Sequence, residues 1–274
     1  MDAPASAAPP RVKIMGILNV TPDSFSDGGR FFDPPAAIDH GLRMIADGAS
    51  IIDIGAESTR PGSLGVDAKE QLARILPIQT ALHAKADPVI SIDTRSAKVA
   101  EACLNEGADI INDVSALRHD PAMSPLIAKW SCGMILTHML GTPENMQVNP
   151  KYGDVVSDIM SFFKERLAAC ESAGIEPCRV CLDPGIGFGK TAEHNLEIMR
   201  RFSEFAAAGR PLVAGVSRKS FLGRLSGQTD AAQRDAASIA AGIFLAQRGV
   251  NILRVHDVAG HVAALKVFDS LSQL

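Results

Sequence analysis

VKIMGILNVTPDSFSDGG, residues 12–29, changes character in its middle. Up to Val20 it is nearly continuously apolar. Asn19, Thr21, Asp23, Ser24, Ser26 and Asp27 then follow in quick succession, with Pro22 and two glycines among them. An apolar run without alternation reads as a strand covered on both faces. A dense set of oxygens and one amide just beyond it reads as a loop with chemistry to do, because ordinary connections are short and bland.

Seven more runs repeat this pattern. They are SIIDIG (50–55), VISIDT (89–94), DIINDV (109–114), GMILTHM (133–139), VCLDPG (180–185), PLVAGVS (211–217) and NILRVHD (251–257). Amphipathic helical patterns lie between them, most clearly at 36–49, 68–84, 154–174 and 231–249, several ending in Gly as a helix C-terminus prefers. Eight strand–helix units predict an α/β chain folded as a single-domain (β/α)8 TIM barrel over residues 12–274. A doubly wound open sheet is the alternative, but no GxGxxG follows the first strand.

Composition agrees with one large core. The chain has 274 residues, 46% of them hydrophobic, and a net charge of −4; its mean hydropathy is +0.11. Slight acidity and the lack of a basic tract argue against a nucleic-acid partner. No apolar window approaches the ~18 residues of a membrane span. The Ala/Pro-rich start, residues 1–11, lacks the features of a signal peptide and is expected to be a disordered leader. Five cysteines with no export signal point to the cytoplasm. Cys178 and Cys181 form a CxxC, but Cys181 sits inside the strand pattern VCLDPG, so packing thiols are expected.

Polar residues fall at the end of every strand: Asn19, Asp53, Asp93, Asn112 with Asp113, His138, Asp183, Ser217 with Arg218 and Lys219, and Arg254 with His256 and Asp257. Glu57, Ser58, Thr59 and Arg60 follow the second strand. In a barrel all of these converge on the C-terminal mouth, where active sites of this architecture sit. Asp257, Thr94 and Ser96 have the bland alternative of capping the next helix. Asp93, Asn112 and Asp183 lie on central strands with no evident basic partner, so they are expected to await a ligand rich in adjacent N–H donors, such as an amino-pyrimidinone edge. Arg60, Arg218, Lys219, Arg254 and His256 suit an anion, phosphate or carboxylate. Asn19 and the first-loop oxygens suit a hard cation such as Mg²⁺ held partly by substrate phosphates. DPGIGFGKT (183–191) is not a Walker loop, because Pro184 stands where its first glycine belongs. GxSxG and HExxH are absent.

Taken together, NVTPDSFSDGG (19–29), ESTRPG (57–62), SIDT (91–94), INDV (111–114), LDPGIGFGK (182–190), SRKS (217–220) and RVHD (254–257) resemble the bacterial dihydropteroate synthases. The resemblance covers the chain from about Lys13 onward. It implies a dimeric pterin-binding barrel that uses Mg²⁺. The reaction it implies joins 6-hydroxymethyl-7,8-dihydropterin pyrophosphate to p-aminobenzoate, in folate synthesis, and is blocked by sulfonamides. It assigns Asp93, Asn112, Asp183 and Lys219 to the pterin. Asn19, Thr59, Arg60, Arg254 and His256 fall to the pyrophosphate, with Asn19 as the metal ligand. Phe188, Ser217, Lys219, Ser26 and Asp27 fall to p-aminobenzoate, and Lys219, Arg254, His256 and Asp183 to catalysis. Ala56, Ile186 and Val216 depart from the commonest family pattern without removing a functional group. A methyltetrahydrofolate-dependent methyltransferase and a catalytically silent pterin-binding paralogue are the competing readings. The apolar stretch 236–246 is expected to serve either a dimer face or barrel packing.

Overall fold

The computed structural model describes residues 12–21, 33–58, 63 and 65–272. The leader, and the expected roles of Ser26, Asp27, Thr59 and Arg60, lie outside the described residues. All eight expected strands are present: β1 (Lys13–Asn19), β2 (Ile51–Gly55), β3 (Val89–Asp93), β4 (Ile110–Asp113), β5 (Gly133–Thr137), β6 (Val180–Asp183), β7 (Val213–Ala214) and β8 (Ile252–Val255). The described helices are α1 (Pro34–Ala46), α2 (Ala68–Ala86), α3 (Ala97–Asn105), α4 (Met123–Lys129), α5 (Val155–Ser172), α6 (Ala192–Arg200), α7 (Ser220–Ser226), α8 (Asp235–Ala246) and α9 (Val258–Ser272).

Every described strand pairing is parallel, in the order β6-β5-β4-β3-β2-β1-β8-β7. A single parallel bridge between Leu182 and Leu212 brings β7 back to β6, which makes this a (β/α)8 barrel. The β7 ladder is much shorter than the expected 211–217 run. Beyond Ala214 a side chain takes over the ladder: Ser217 Oγ accepts the His256 backbone N–H at 3.1 Å.

Residues interleave because strand side chains alternate faces. Ile14, Leu18, Ile52, Ile54, Ile90, Ile92, Leu182 and Leu253 belong to the large core between strands and helices. Met15, Ile51, Ile135, Val213 and Ile252, joined by Ile110 and Cys181, form a separate apolar plug inside the barrel. Both faces of the strands are thus buried, which is why they read as unbroken apolar runs.

The helix starts follow local chemistry. Asp33, Asp67, Ser96 and Asp154 each accept a backbone N–H of the following first turn, and Thr191 with His194 forms a capping box. The expected helix at 231–249 divides into a 3-10 turn (Ala231–Arg234) and α8, with Asp230 capping the turn. α8 turns Ala241 and Leu245 into the core. Cys103, Cys132 and Cys170 are buried; of the CxxC pair, Cys181 packs against the interior plug as expected, but Cys178 is exposed, on the 3-10 turn that precedes β6.

Candidate active site

The period of two selects the site. Asp53 lies two residues beyond Ile51 of the plug, Asn112 two beyond Ile110, Asp183 two beyond Cys181 and Arg254 two beyond Ile252. Asn19 lies four beyond Met15, and Asp93 is in register with Asn112. These six therefore share the barrel interior, stacked above the plug at the C-terminal mouth.

The same parity removes three residues expected there. The Asp113 carboxylate turns away to accept N–H from Ser115 at 2.7 Å and Leu117 at 2.8 Å, together with the Ser115 hydroxyl at 2.6 Å. His138 packs edge-on against Phe162 of α5, centroids 4.8 Å apart. Asp257 accepts from Gly260 N–H at the start of α9. Thr94 and Ser96 cap as their bland reading held.

Asp93 has a basic partner, contrary to expectation, whereas Asp183 forms no ion pair among the described residues. Arg254 donates from Nε to Asp53 Oδ2 at 2.6 Å and from Nη2 to Asp93 Oδ2 at 2.8 Å. Asn112 Nδ2 donates to the same Asp53 oxygen at 3.2 Å. The sequence hid this partner because β8 lies far from β2 and β3 along the chain. Arg254 reaches across the interior from β8 to both strands. Burial pushes the Asp93 carboxyl well above the ordinary carboxylate range, Arg254 opposing and Asp53 adding to the shift. Burial disfavours the Arg254 cation too, yet Asp53 and Asp93 hold it above its ordinary value. Asp53 Oδ1 and Ser91 Oγ, on registered positions of β2 and β3, have no partner among the described residues. Asp183 accepts the Gly185 N–H at 2.7 Å, and burial raises its carboxyl as well.

Above this floor Lys219, at the start of α7, sets its Nζ 4.3 Å from the centre of the Phe188 ring. Burial lowers the ammonium to about 8, with Asp183 as the main opposing charge. The Phe188 ring is half-buried.

Two members of the expected basic rim do not act as free cations. Arg218, with φ +58°, is locked to Asp235 by paired contacts of 2.7 and 2.8 Å. His256 is lowered to about 3 by burial and by the charges of Arg218 and Arg254, so its imidazole is neutral near pH 7. Its Nδ1 lies 2.9 Å from Ser217 Oγ. That hydroxyl accepts the His256 backbone N–H and still has its own proton to donate to Nδ1, an arrangement that puts the ring proton on Nε2. His256 and Ser217 thus offer hydrogen bonds, not charge.

Asn19 is half-buried at the end of β1, and its side-chain amide takes no hydrogen bond from a described residue. No group of three or more His, Cys, Asp or Glu able to hold a metal occurs among the described residues. A lone amide carbonyl fits a cation that draws most of its ligands from phosphate and water, as Mg²⁺ does.

Two networks escaped the sequence reading. Glu57 pairs with Arg95 and accepts from Gln71 Nε2 at 3.2 Å, fixing the root of the second loop. Lys190, read as part of a failed Walker pattern and of the LDPGIGFGK motif but given no role, is buried behind the sixth loop. No spacing in the sequence signals either one, because both join different βα units. No described helix is long and apolar enough to cross a membrane.

An eight-stranded barrel whose mouth carries a carboxylate floor and a cationic, aromatic rim defines a small-molecule enzyme. The family model for pterin-binding enzymes matches residues 15–256. The dihydropteroate synthase of Neisseria meningitidis serogroup C is 47% identical over 262 residues, covering 94% of this chain and 92% of that protein. The Yersinia pestis dihydropteroate synthase, solved with a sulfonamide drug complex, superposes with a TM-score of 0.92 at 41% identity, over 96% of this chain and 95% of its own. The Xanthomonas albilineans enzyme with 4-aminobenzoic acid gives a TM-score of 0.90 at 42% identity, over 96% and 94%. The chain belongs to the dihydropteroate synthases among the pterin-binding enzymes, transferases of folate synthesis.

Proposed function

We propose that this mouth joins 6-hydroxymethyl-7,8-dihydropterin pyrophosphate to p-aminobenzoate by a dissociative, SN1-like displacement. The observation that carries the proposal is the vertical order of the site. A hydrogen-bonding floor of Asp53, Asp93, Asn112 and Asp183 lies beneath the Lys219–Phe188 pair.

The pterin edge presents adjacent N–H donors, and carboxylates accept such pairs. Asp93, Asn112 and Asp183 receive it, with Lys219 beside the ring. Arg254, tied to Asp53 and Asp93, keeps the floor's charge balanced while the pterin is bound. His256, neutral, donates from Nε2 to the pyrophosphate. Arg254, Thr59 and Arg60 complete that anion site. Asn19 would hold Mg²⁺, which when bound neutralises charge developing on the departing pyrophosphate.

Departure of pyrophosphate leaves a cation at the pterin methylene. The electron-rich dihydropterin ring and the nearby carboxylates stabilise it. The aniline nitrogen of p-aminobenzoate then attacks, losing its proton to solvent. Phe188 walls the benzoate ring, and Ser217 and Lys219 anchor the carboxylate. Ser26 and Asp27 close the site from the first loop. The similarity to structures holding a sulfonamide or 4-aminobenzoic acid supports a second-substrate site beside the pterin. A homodimer, acting in the cytoplasm, completes the proposal.

Pyrophosphate release from the dihydropterin pyrophosphate, with Mg²⁺ present, tests this. Release that depends on p-aminobenzoate and yields dihydropteroate supports it. Pterin binding without release overturns it in favour of a silent paralogue. Methyl transfer from methyltetrahydrofolate to a corrinoid would overturn it in favour of the methyltransferase. Sedimentation of the purified chain checks the dimer.

A further inference from the structure

We infer that Lys190 is a positioning residue that holds Phe188 against Lys219 by anchoring the Phe188 carbonyl to the end of β5. This rests on the reading above, in which Phe188 and Lys219 bound the p-aminobenzoate site.

The loop from Asp183 to Thr191 has little structure of its own. Its glycines 185, 187 and 189 all have positive φ, and only one backbone hydrogen bond, Phe188 N–H to Gly185 O at 2.9 Å, closes within it. Side chains hold the rest, Asp183 taking the Gly185 N–H at 2.7 Å. Gln147 donates to Gly187 O at 2.8 Å, Tyr152 to Gly189 O at 2.8 Å, and Asn195 accepts from Gly187 N–H at 2.7 Å. The carbonyl of Phe188 itself is held by Lys190, whose Nζ lies 2.9 Å away.

Lys190 is 3% exposed and forms no ion pair among the described residues. A buried amine with no counter-ion is costly unless its protons are used. Here Nζ has three polar neighbours within reach, Phe188 O, His138 O at 3.3 Å and His138 Nδ1 at 2.9 Å, and burial holds the amine well below its usual range. The last contact goes with a neutral His138, since an imidazolium would set two cations side by side. Burial and the charge of Lys190 lower His138 to about 2, which agrees. Any apolar side chain could fill this space. Only a donor at this point can pin one carbonyl in the loop to a strand end in the barrel wall. Fixing that carbonyl fixes the peptide plane from which the Phe188 ring projects, and so its 4.3 Å approach to Lys219 Nζ. The energy of the anchor is spent on geometry at the rim. Its loss should therefore appear in second-substrate binding before it appears in pterin binding.

The test is steady-state kinetics with each substrate varied in turn, on Lys190→Met, Tyr152→Phe and Phe188→Ala, with melting curves for all three. Lys190→Met is expected to raise the KM for p-aminobenzoate about tenfold or more, as loss of a buried hydrogen-bond anchor implies, and to leave the KM for the dihydropterin pyrophosphate within about twofold. Tyr152→Phe, which frees the neighbouring Gly189 carbonyl, is expected to move the same constant in the same direction by about threefold. An equal rise in both KM values, or a lowered melting temperature with both unchanged, overturns the inference. If Lys190→Met does not fold, Tyr152→Phe decides alone, and an unchanged KM for p-aminobenzoate overturns it. Phe188→Ala separates the two levels. If it leaves p-aminobenzoate binding intact, the assignment of that site fails. If it weakens binding while the other two variants do not, only the positioning role fails.

Discussion

Arg254 Nη2 lies 2.8 Å from Asp93 Oδ2, across 161 residues of chain, and this contact sets the charge state of the barrel floor. Without it Asp93 would be a buried carboxylate facing Asp53 with no ion-pair partner among the described residues. Removing one partner of such a pair costs about 3–5 kcal/mol. Arg254→Met is therefore expected to lower stability by that order. The loss should be larger at pH 8 than at pH 6. The folded-state pKa of Asp93, already raised by burial, rises further without the guanidinium. The folded state then binds a proton that the unfolded chain has released, so stability falls as pH rises. Thermal melts at the two pH values check the sign.

Lys219 should behave oppositely. The fold holds its ammonium below the usual range, at about 8, so the cation is a burden on the native state. Lys219→Met is expected to cost at most about 1 kcal/mol of stability, but to reduce kcat/KM about a hundredfold or more, as loss of a preorganised charged donor does. Equal losses in melting temperature and turnover would contradict its place at the mouth.

Turnover should depend on pH through these same two groups. Asp93 accepts N–H groups best when ionised, so kcat/KM falls on the acid side of its raised pKa. Lys219 anchors a carboxylate only when protonated, so kcat/KM falls again above about 8. A bell is expected, with the optimum displaced to the alkaline side of an ordinary carboxylate limb. The pH profile of a partly active Lys219→Gln variant is the check: its alkaline limb should be gone while the acid limb stays.

Gly185 and Gly209 separate backbone strain from close approach. Both have φ near +66°, at +67° and +66°. A Cβ at Gly209 meets nothing within 4 Å, so Gly209→Ala should cost only the left-handed penalty of about 1–2 kcal/mol. A Cβ at Gly185 would sit 1.9 Å from the His138 carbonyl oxygen, which is backbone and cannot move aside. Gly185→Ala is expected to cost at least about 2 kcal/mol more than Gly209→Ala, and to disturb the sixth loop. Urea denaturation of the two variants measures the difference.

Much of this protein was legible in its sequence. Runs such as VISIDT and VCLDPG are apolar on both faces because both faces are buried, so all eight strands could be located and counted. Their order in the chain is also their order around the barrel, since each βα unit packs beside the last. Asp93, Asn112 and Asp183 could be nominated as site residues, because a polar group ending an apolar run has few other uses. Alternation of strand faces could have told more. Asn112 and Asp113 are adjacent, so only one of them can point inward; Asn112 shares parity with Ile110 of the interior plug, while Asp113 caps a turn outside.

What local sequence determines is what acts over a few residues: apolar periodicity, helix caps and turn glycines, whose energies are set by neighbours along the chain. What only the tertiary structure decided is which charge meets which. Arg254 and Arg218 look alike in sequence, each near the end of an apolar run and near a serine or histidine. One bridges Asp53 and Asp93 in the floor, and the other is spent on Asp235. His256 is a neutral imidazole and not a cation, because partial burial and positive neighbours disfavour its charged form. Lys190 anchors a loop because two separate βα units close around it. Coulomb energy and desolvation depend on distance in space and on burial. Neither has a value until the barrel closes, and so these roles belong to the fold and not to the string of residues.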